Sequence, residues 1–581
     1  SFFMAMPTRT NILDCCLIVA AIMLFLWPEA DPSWLKPATD IHDAAWWADP
    51  AKQKILHGTW MNGPFAGAIA VGPLTVWLHF ITFKLFGISF FSLRLLSLIP
   101  AVFTAVLLRF RSSDFSTASS ALLLLTSTSW FTWARLGLPE LWMGFLLLAA
   151  IHLLQKGGIW NSIIAAFCLL GGLLFKASFV YHLLLILPVL LLTKHRQATY
   201  RWAFFLCVFS IGSVVYYLGY LLPNEALFSP FLAEFSANYF TIEQLLDPAG
   251  IFARIVFLTD REFFQDPSVV LLIIALLIKL SSGFRPSSSL SFTLLFFLGI
   301  LFLLPSDFAG RRFVPLFPLL VVAAIEPYVQ ESISNRARIL LAVLMNWVMI
   351  GMIIPAARLF LFEDGFFQIQ PLVGFIFGIQ VLGLAIVWWL KKSTNSLLSV
   401  YFKYSASALS LACIALVLQT HFHSTSWLIV IFSAVVFLLM HLLFSSEKFK
   451  YSAFVFIAGV GLTFNCASFF SLSHTEHDNA QVVAKILDNQ QGLVAGNATT
   501  FSLTFLSSTS AMHFPMSPYW RATKPMFIGA YSTSDQDSAA TLKMLDQLIL
   551  DQQEEPKNNC IPLRVWHSNQ VGIFCYPRRE K

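Results

Sequence analysis

The sequence predicts an α-helical polytopic membrane protein carrying a small C-terminal α/β domain on the outer face of the membrane. Three observations lead there. Of 581 residues, 57% are hydrophobic and only 12% charged, with 58 Phe and 17 Trp, too little charge to cover a soluble protein of this size. Apolar runs of about 18 or more residues recur, each long enough to cross a bilayer as a helix. Lipid gives backbone groups no water partner, so these runs are helices rather than open strands. From about residue 473 the chain turns polar and mixed in charge.

Hydropathy places spans near 11–27, 90–108, 117–134, 140–155, 158–174, 177–193 and 201–222. Further spans fall near 267–280, 288–304, 313–327, 337–360, 371–390, 400–420, 425–444 and 451–471. The run from Asn11 to Trp27 lacks a small-residue cleavage site before Pro28 and reads as the first span. With Arg9 cytoplasmic, the clusters at Arg109–Arg111, Lys156, Lys194–Arg196, Lys279–Arg285, Arg336–Arg338, Lys391–Lys392 and Lys448–Lys450 share the cytoplasmic side. That agreement requires the apolar run Phe65–Gly87 to lie in or dip into the outer interface. The net charge of +6 is dispersed in these loops without a basic stripe, which argues against nucleic acid.

Residues 1–472 thus form the transmembrane domain, with a first outer loop at 28–89, and residues 473–581 an outer domain. In the latter, HDNAQVVAKILDNQQ and SDQDSAATLKMLDQLILDQQEE have helical periodicity. GLVAG, PLRVWH and VGIFCY read as strands, the last two around a turn at Ser568-Asn569. Six of eight cysteines lie in or beside spans. Cys560 and Cys575 flank the terminal hairpin, as a disulfide or as two thiols.

Chemistry on lipid-borne substrates needs polar groups at headgroup depth. Asp43 heads the outer stretch DAAWWADPAKQKILHGTW, with Asp40 and Asp49 as rivals. Trp47, Ala51 and Ile55 share a helical face there, which predicts an interfacial helix with Trp46, Trp47 and lysines at the headgroups. Anchoring without catalysis explains it equally. Glu140 starts a helix after the turn ARLGLP; a dipole-stabilised helix-start acid is the plain alternative. Cations on the outer side run against the topology bias: Arg311 and Arg312, Lys176, Arg135 and Arg94. Phosphate recognition accounts for them through charge-assisted hydrogen bonds; snorkelling or pairing with Asp307 is the alternative. His421 and His423 lack a nearby third metal ligand. Asn497-Ala498-Thr499 is a sequon that matters only in an ER lumen.

In order, the N-terminal span, the acid followed by WW, LHFITFKLFGISFFSLRLLSLIPAV, ARLGLPELWMGF and RRFVPLFPLL resemble the lipid-linked sugar transferases of the GT-C superfamily. The similarity runs over roughly Asp14 to Val329 and is to the bacterial aminoarabinose lipid A transferase and protein O-mannosyltransferase branch. It implies an inverting enzyme of the bacterial inner membrane, with its active site and C-terminal domain periplasmic. The implied donor is a polyprenyl-phosphate monosaccharide; the acceptor is a glycolipid, polysaccharide or protein hydroxyl. Asp43 would be the general base and Glu140 would orient the acceptor or Asp43. Arg311, Arg312 and Lys176 would stabilise the departing lipid phosphate, with no metal or other cofactor required. The chain has Asp43-Ala44 where the family usually has Asp-Glu, and NGPFAGAIAVGPL replaces a Lys-Pro-Pro or His-Pro-Pro element. A lipid or glycan transporter and a non-catalytic lipid-binding assembly subunit remain competing readings. Acids and bases gathered at one face, without a visible inverted repeat, favour the transferase over the transporter.

Overall fold

The computed structural model describes residues 39–58, 60, 72–111, 130, 133–134, 136–180, 182–183, 199–225, 284–285, 314–325, 329–330, 481–485, 487, 493–496, 505–507, 510–513, 527–530, 558–564 and 571–577. The membrane part is helical: α1 (Thr39–His57), α2 (Pro73–Phe86), α3 (Phe90–Arg111), α4 (Glu140–Lys156), α5 (Ile159–Phe175), α6 (Thr199–Tyr216) and α7 (Phe317–Ile325). A π-helical turn, Tyr217–Leu221, and a 3-10 turn, Leu222–Asn224, extend α6. Helices α3 to α6 coincide with the spans expected near 90–108, 140–155, 158–174 and 201–222. Two stretches, Phe90–Leu108 and Trp202–Asn224, are long and apolar enough to cross a bilayer. The first span, those near 267–280 and 288–304 and those beyond residue 330 lie outside the described residues, as do most of those near 117–134 and 177–193.

Local chemistry sets the joints. Pro73 opens α2, where its missing N–H is harmless and its φ suits a helix. Gly87, at φ 78°, ends that helix by donating its N–H to the Phe83 carbonyl at 2.9 Å. Between α4 and α5, Gly157 and Gly158 have φ values of 71° and 100°, reversing the chain in two residues. The two helices pack side by side, each 17 residues long, so the start of α4 and the end of α5 lie at one level.

The bundle runs α1 on α2, α2 on α3 and α5, α3 on α4, α5 on α4 and α6. Helix α7 meets α4 where Gly144 faces the Pro315 backbone, with Trp130 and Phe317 rings 6.0 Å apart beside it. Helix α2 is amphipathic in its own way: Thr75, Val76, His79, Thr82 and Phe83 are buried, while Trp77, Ile81, Leu85 and Phe86 are exposed. A short apolar helix with an exposed apolar face suits the outer interface expected for Phe65–Gly87.

Helix α1 departs from expectation. An interfacial helix should keep Lys52 in the headgroups, yet Lys52 is 1% exposed, and Ala44, Ala45, Trp47, Ala48, Asp49, Ala51 and Gln53 are also buried. Protein surrounds α1 from Ala44 to Gln53, and its end, at Leu56, emerges. The lysine stem is long enough to snorkel, but α2, α3 and the strand Ser510–His513 pack against this helix.

The C-terminal segment contains a five-stranded sheet. Its strands are β3 (Leu493–Gly496), β4 (Ser510–His513), β5 (Phe527–Ala530), β6 (Asn558–Arg564) and β7 (Val571–Pro577), in the order β4-β3-β5-β7-β6. The short pair β1 (Phe284–Arg285) and β2 (Val329–Gln330) is separate. Strand β3 runs parallel to β4 and β5, β7 antiparallel to β5 and β6. Strands β3 and β7 fall on the expected GLVAG and VGIFCY; β6 begins earlier than PLRVWH and shares only Pro562–Arg564 with it, and the β6–β7 register sets Cys560 opposite Cys575. Phe505 joins this part to the helices, 1% exposed, its ring 5.8 Å from Phe83 and 5.1 Å from Phe90.

Gly137 holds φ 79°, and a Cβ there would overlap the Leu93 carbonyl oxygen; Gly87 has the same φ sign with open space around it. Gly137→Ala should therefore destabilise the protein by roughly 1–3 kcal/mol and by more than Gly87→Ala, which carries the backbone strain alone. Thermal unfolding of both variants checks this; equal losses would refute the packing contribution.

Candidate functional site

The turn before α4 is fastened to α3. Ser97 donates its hydroxyl to the Leu138 carbonyl at 2.9 Å, and Gly137 lies against Leu93. Pro139 then leads into Glu140, the first residue of α4. Across from it α5 ends at Phe175, and Lys176 leaves the helix in extended conformation (φ −161°, ψ 126°). The Lys176 carbonyl accepts the Phe179 N–H at 2.9 Å, starting the next turn.

These two helix ends meet. Lys176 Nζ donates to Glu140 Oε1 at 2.6 Å, with the lysine side chain 10% and the carboxylate 1% exposed. Each charge sits at the favourable end of its helix dipole, the acid at an N-terminus and the cation at a C-terminus. Glu140 is thus more than a helix-start acid: it is buried and reaches a partner 36 residues on. Its second oxygen, Oε2, is buried without a hydrogen-bond partner among the described residues.

Helix α1 supplies a third group. The Lys176 ammonium lies 5.5 Å from the Trp47 ring centroid, a cation–π contact strengthened by burial. Trp46 packs edge-on to Trp47 at 5.3 Å. Asp43 is one turn before Trp47, and the i, i+4 spacing puts both positions on one face of α1. From the far side, Pro315 rests on Gly144, one turn into α4 from Glu140. Arg94 is on α3, half-buried and engaged. Arg135, Arg311, Arg312, His421, His423 and Asn497 lie outside the described residues.

Sequence reasoning overlooked what holds this arrangement. Gly72 is one such residue: a Cβ there would overlap both the Phe175 carbonyl oxygen and the Trp47 ring. Thr75 is another, buried and hydrogen-bonded to Phe175 O at 2.6 Å. Trp142 stacks on Phe175 at 5.0 Å. The only signal was the run GPLT after an apolar stretch, which also suits an ordinary helix start.

A second buried polar group lies on another side of α1. Gln53 donates to Asp49 Oδ1 at 3.3 Å, and Asp49 Oδ2 and Gln53 Oε1 are buried without hydrogen-bond partners among the described residues. Burial raises the Asp49 carboxyl above its ordinary value, opposed by the charge of Lys52. Burial also lowers the Lys52 amine to about 8, opposed by Asp49.

No family model matches the chain, and no curated protein matches it. Among solved structures the chain is similar to ArnT. The crystal structure of ArnT from Cupriavidus metallidurans bound to undecaprenyl phosphate matches with a TM-score of 0.48 at 12% identity, covering 98% of both chains. The same protein in the apo state gives 0.49 at 11%, again over 98% of both.

Two outcomes test the geometry. Lys176→Met leaves a buried carboxylate uncompensated and should cost about 3–5 kcal/mol of stability, much of it recovered in the double variant with Glu140→Gln. An additive double variant, read by chemical unfolding, would refute the coupling. For Lys52 the folded amine titrates near 8 and the unfolded one near 10.5. Between those values the unfolded chain binds the extra proton, so stability should rise with pH from about 8 to 10.5. Lys52→Met should flatten that rise in pH-dependent melting; an unchanged slope would assign it elsewhere.

Proposed function

We propose that the protein is an inverting membrane glycosyltransferase, moving a monosaccharide from a polyprenyl-phosphate donor to an acceptor hydroxyl at the outer membrane face. The acceptor class is a glycolipid, polysaccharide or protein. The observation that carries the reading is the buried Glu140–Lys176 pair against Trp47, on the face of α1 that bears Asp43.

In this reading Asp43 takes the proton of the acceptor hydroxyl. The acceptor oxygen attacks the anomeric carbon, the bond from that carbon to the phosphate oxygen breaks, and its electron pair leaves on the lipid phosphate. Attack opposite the leaving group inverts the anomeric centre. Lys176 orients Glu140, whose unpartnered Oε2 is free to accept a hydrogen bond from the acceptor. Negative charge develops on the departing phosphate, where Arg311 and Arg312 are the cations of choice, two residues before the chain reaches Val314 and the α4 contact. Lys176 adds positive potential there, tempered by its pairing. Arg94 and Arg135 would add further positive charge for donor binding, and Trp46 supports Trp47. The 473–581 segment, with its five-stranded sheet, is the periplasmic α/β domain, and the whole is a multi-pass protein of the bacterial inner membrane.

Asp43→Asn should lower transfer from a labelled polyprenyl-phosphate sugar by about 100-fold or more while undecaprenyl phosphate still binds. Glu140→Gln should reduce turnover less, because it keeps one acceptor oxygen. Full activity of Asp43→Asn would remove Asp43 as the base and this mechanism with it.

A further inference from the structure

Helix ends leave their last carbonyls without intrahelical donors. In α5 that orphan is the Phe175 carbonyl, immediately before Lys176, and Thr75 of α2 satisfies it through a 2.6 Å hydrogen bond. Thr75 is fully buried, so no water competes for the bond. Gly72, one turn earlier, lets the α2 backbone come so close that any side chain would strike Phe175 O and Trp47 together. Trp142 clamps the Phe175 ring from α4, stacked at 5.0 Å and 11°. Three helices thus converge on the single residue that precedes the lysine.

We propose that Thr75 is a positioning residue: its hydroxyl fixes the end of α5 and thereby sets where the Lys176 ammonium meets Glu140 and Trp47. The proposal rests on the reading of Glu140 and Lys176 given under Proposed function. Loss of the hydroxyl strands a buried carbonyl, which only a shift of the α5 end can relieve. That shift displaces Lys176 from both of its partners, because its backbone follows Phe175 directly.

The test is acylation of Lys176 by an N-hydroxysuccinimide ester in the full chain in lipid nanodiscs, read by peptide mass spectrometry. Exposed Lys156 serves as the internal reference. Thr75→Val should raise the Lys176 rate relative to Lys156 by about threefold to tenfold, the range expected for one net hydrogen bond. Thr75→Ser, which keeps the hydroxyl, should restore the wild-type ratio. Thr75→Ala repeats the measurement with a side chain that cannot crowd the site. A wild-type ratio in the Val and Ala variants, or a Ser variant as reactive as Val, overturns the proposal. The readout needs no sugar transfer, so it stands apart from the outcome for Asp43→Asn.

Discussion

A buried ion pair between two helix ends, Glu140 and Lys176, is the constraint on which the rest of the site depends. Two charges taken out of water are tolerated only when geometry and surroundings compensate them. Here the compensation is distributed: opposed helix dipoles, a 2.6 Å contact and the face of Trp47. It requires α4 and α5 to be antiparallel, equal in length and joined by a turn that loses no register. The glycine pair at 157–158 meets the last demand. Ser97 and Gly137 hold the acid's turn, and Thr75 and Gly72 hold the lysine's.

Helix α1 shows the same logic applied to a helix that composition alone assigns to the membrane surface. Its alanines allow close packing against α2, and its tryptophan closes over Lys176. Asp49, Lys52 and Gln53 are carried into the interior at some expense of stability, reflected in opposite shifts of the acid and the amine. A helix gripped on several sides keeps a residue at a defined depth better than one resting on lipid.

The contact of Phe505 with Phe83 and Phe90, and of β4 with α1, ties the C-terminal sheet to the helices that frame the site. Aromatic rings dominate this joint because they bury a large area without a polar group to satisfy. The sheet itself combines a parallel part, β4-β3-β5, with the antiparallel hairpin β6–β7.

Much of the architecture was legible in the residues. Spans α3 to α6 follow from apolar length, their ends from glycine and proline, and the strands at 493–496 and 571–577 from apolar runs between turn residues, whereas β6 was expected four residues too late. Candidate acids and bases were legible too, because a charge in a lipid-soluble chain stands out. Partners were not. Local pattern encodes period and termini, whereas the meeting of Glu140 with Lys176, of Trp47 with Lys176 and of Thr75 with Phe175 spans 36, 129 and 100 residues of chain. For the same reason Lys52, polar by type, reads as solvated until its neighbours are known. The sequence by itself determined a helical membrane chain. Tertiary packing alone decided which charges are paired, because burial and proximity are properties of the surroundings and not of the segment.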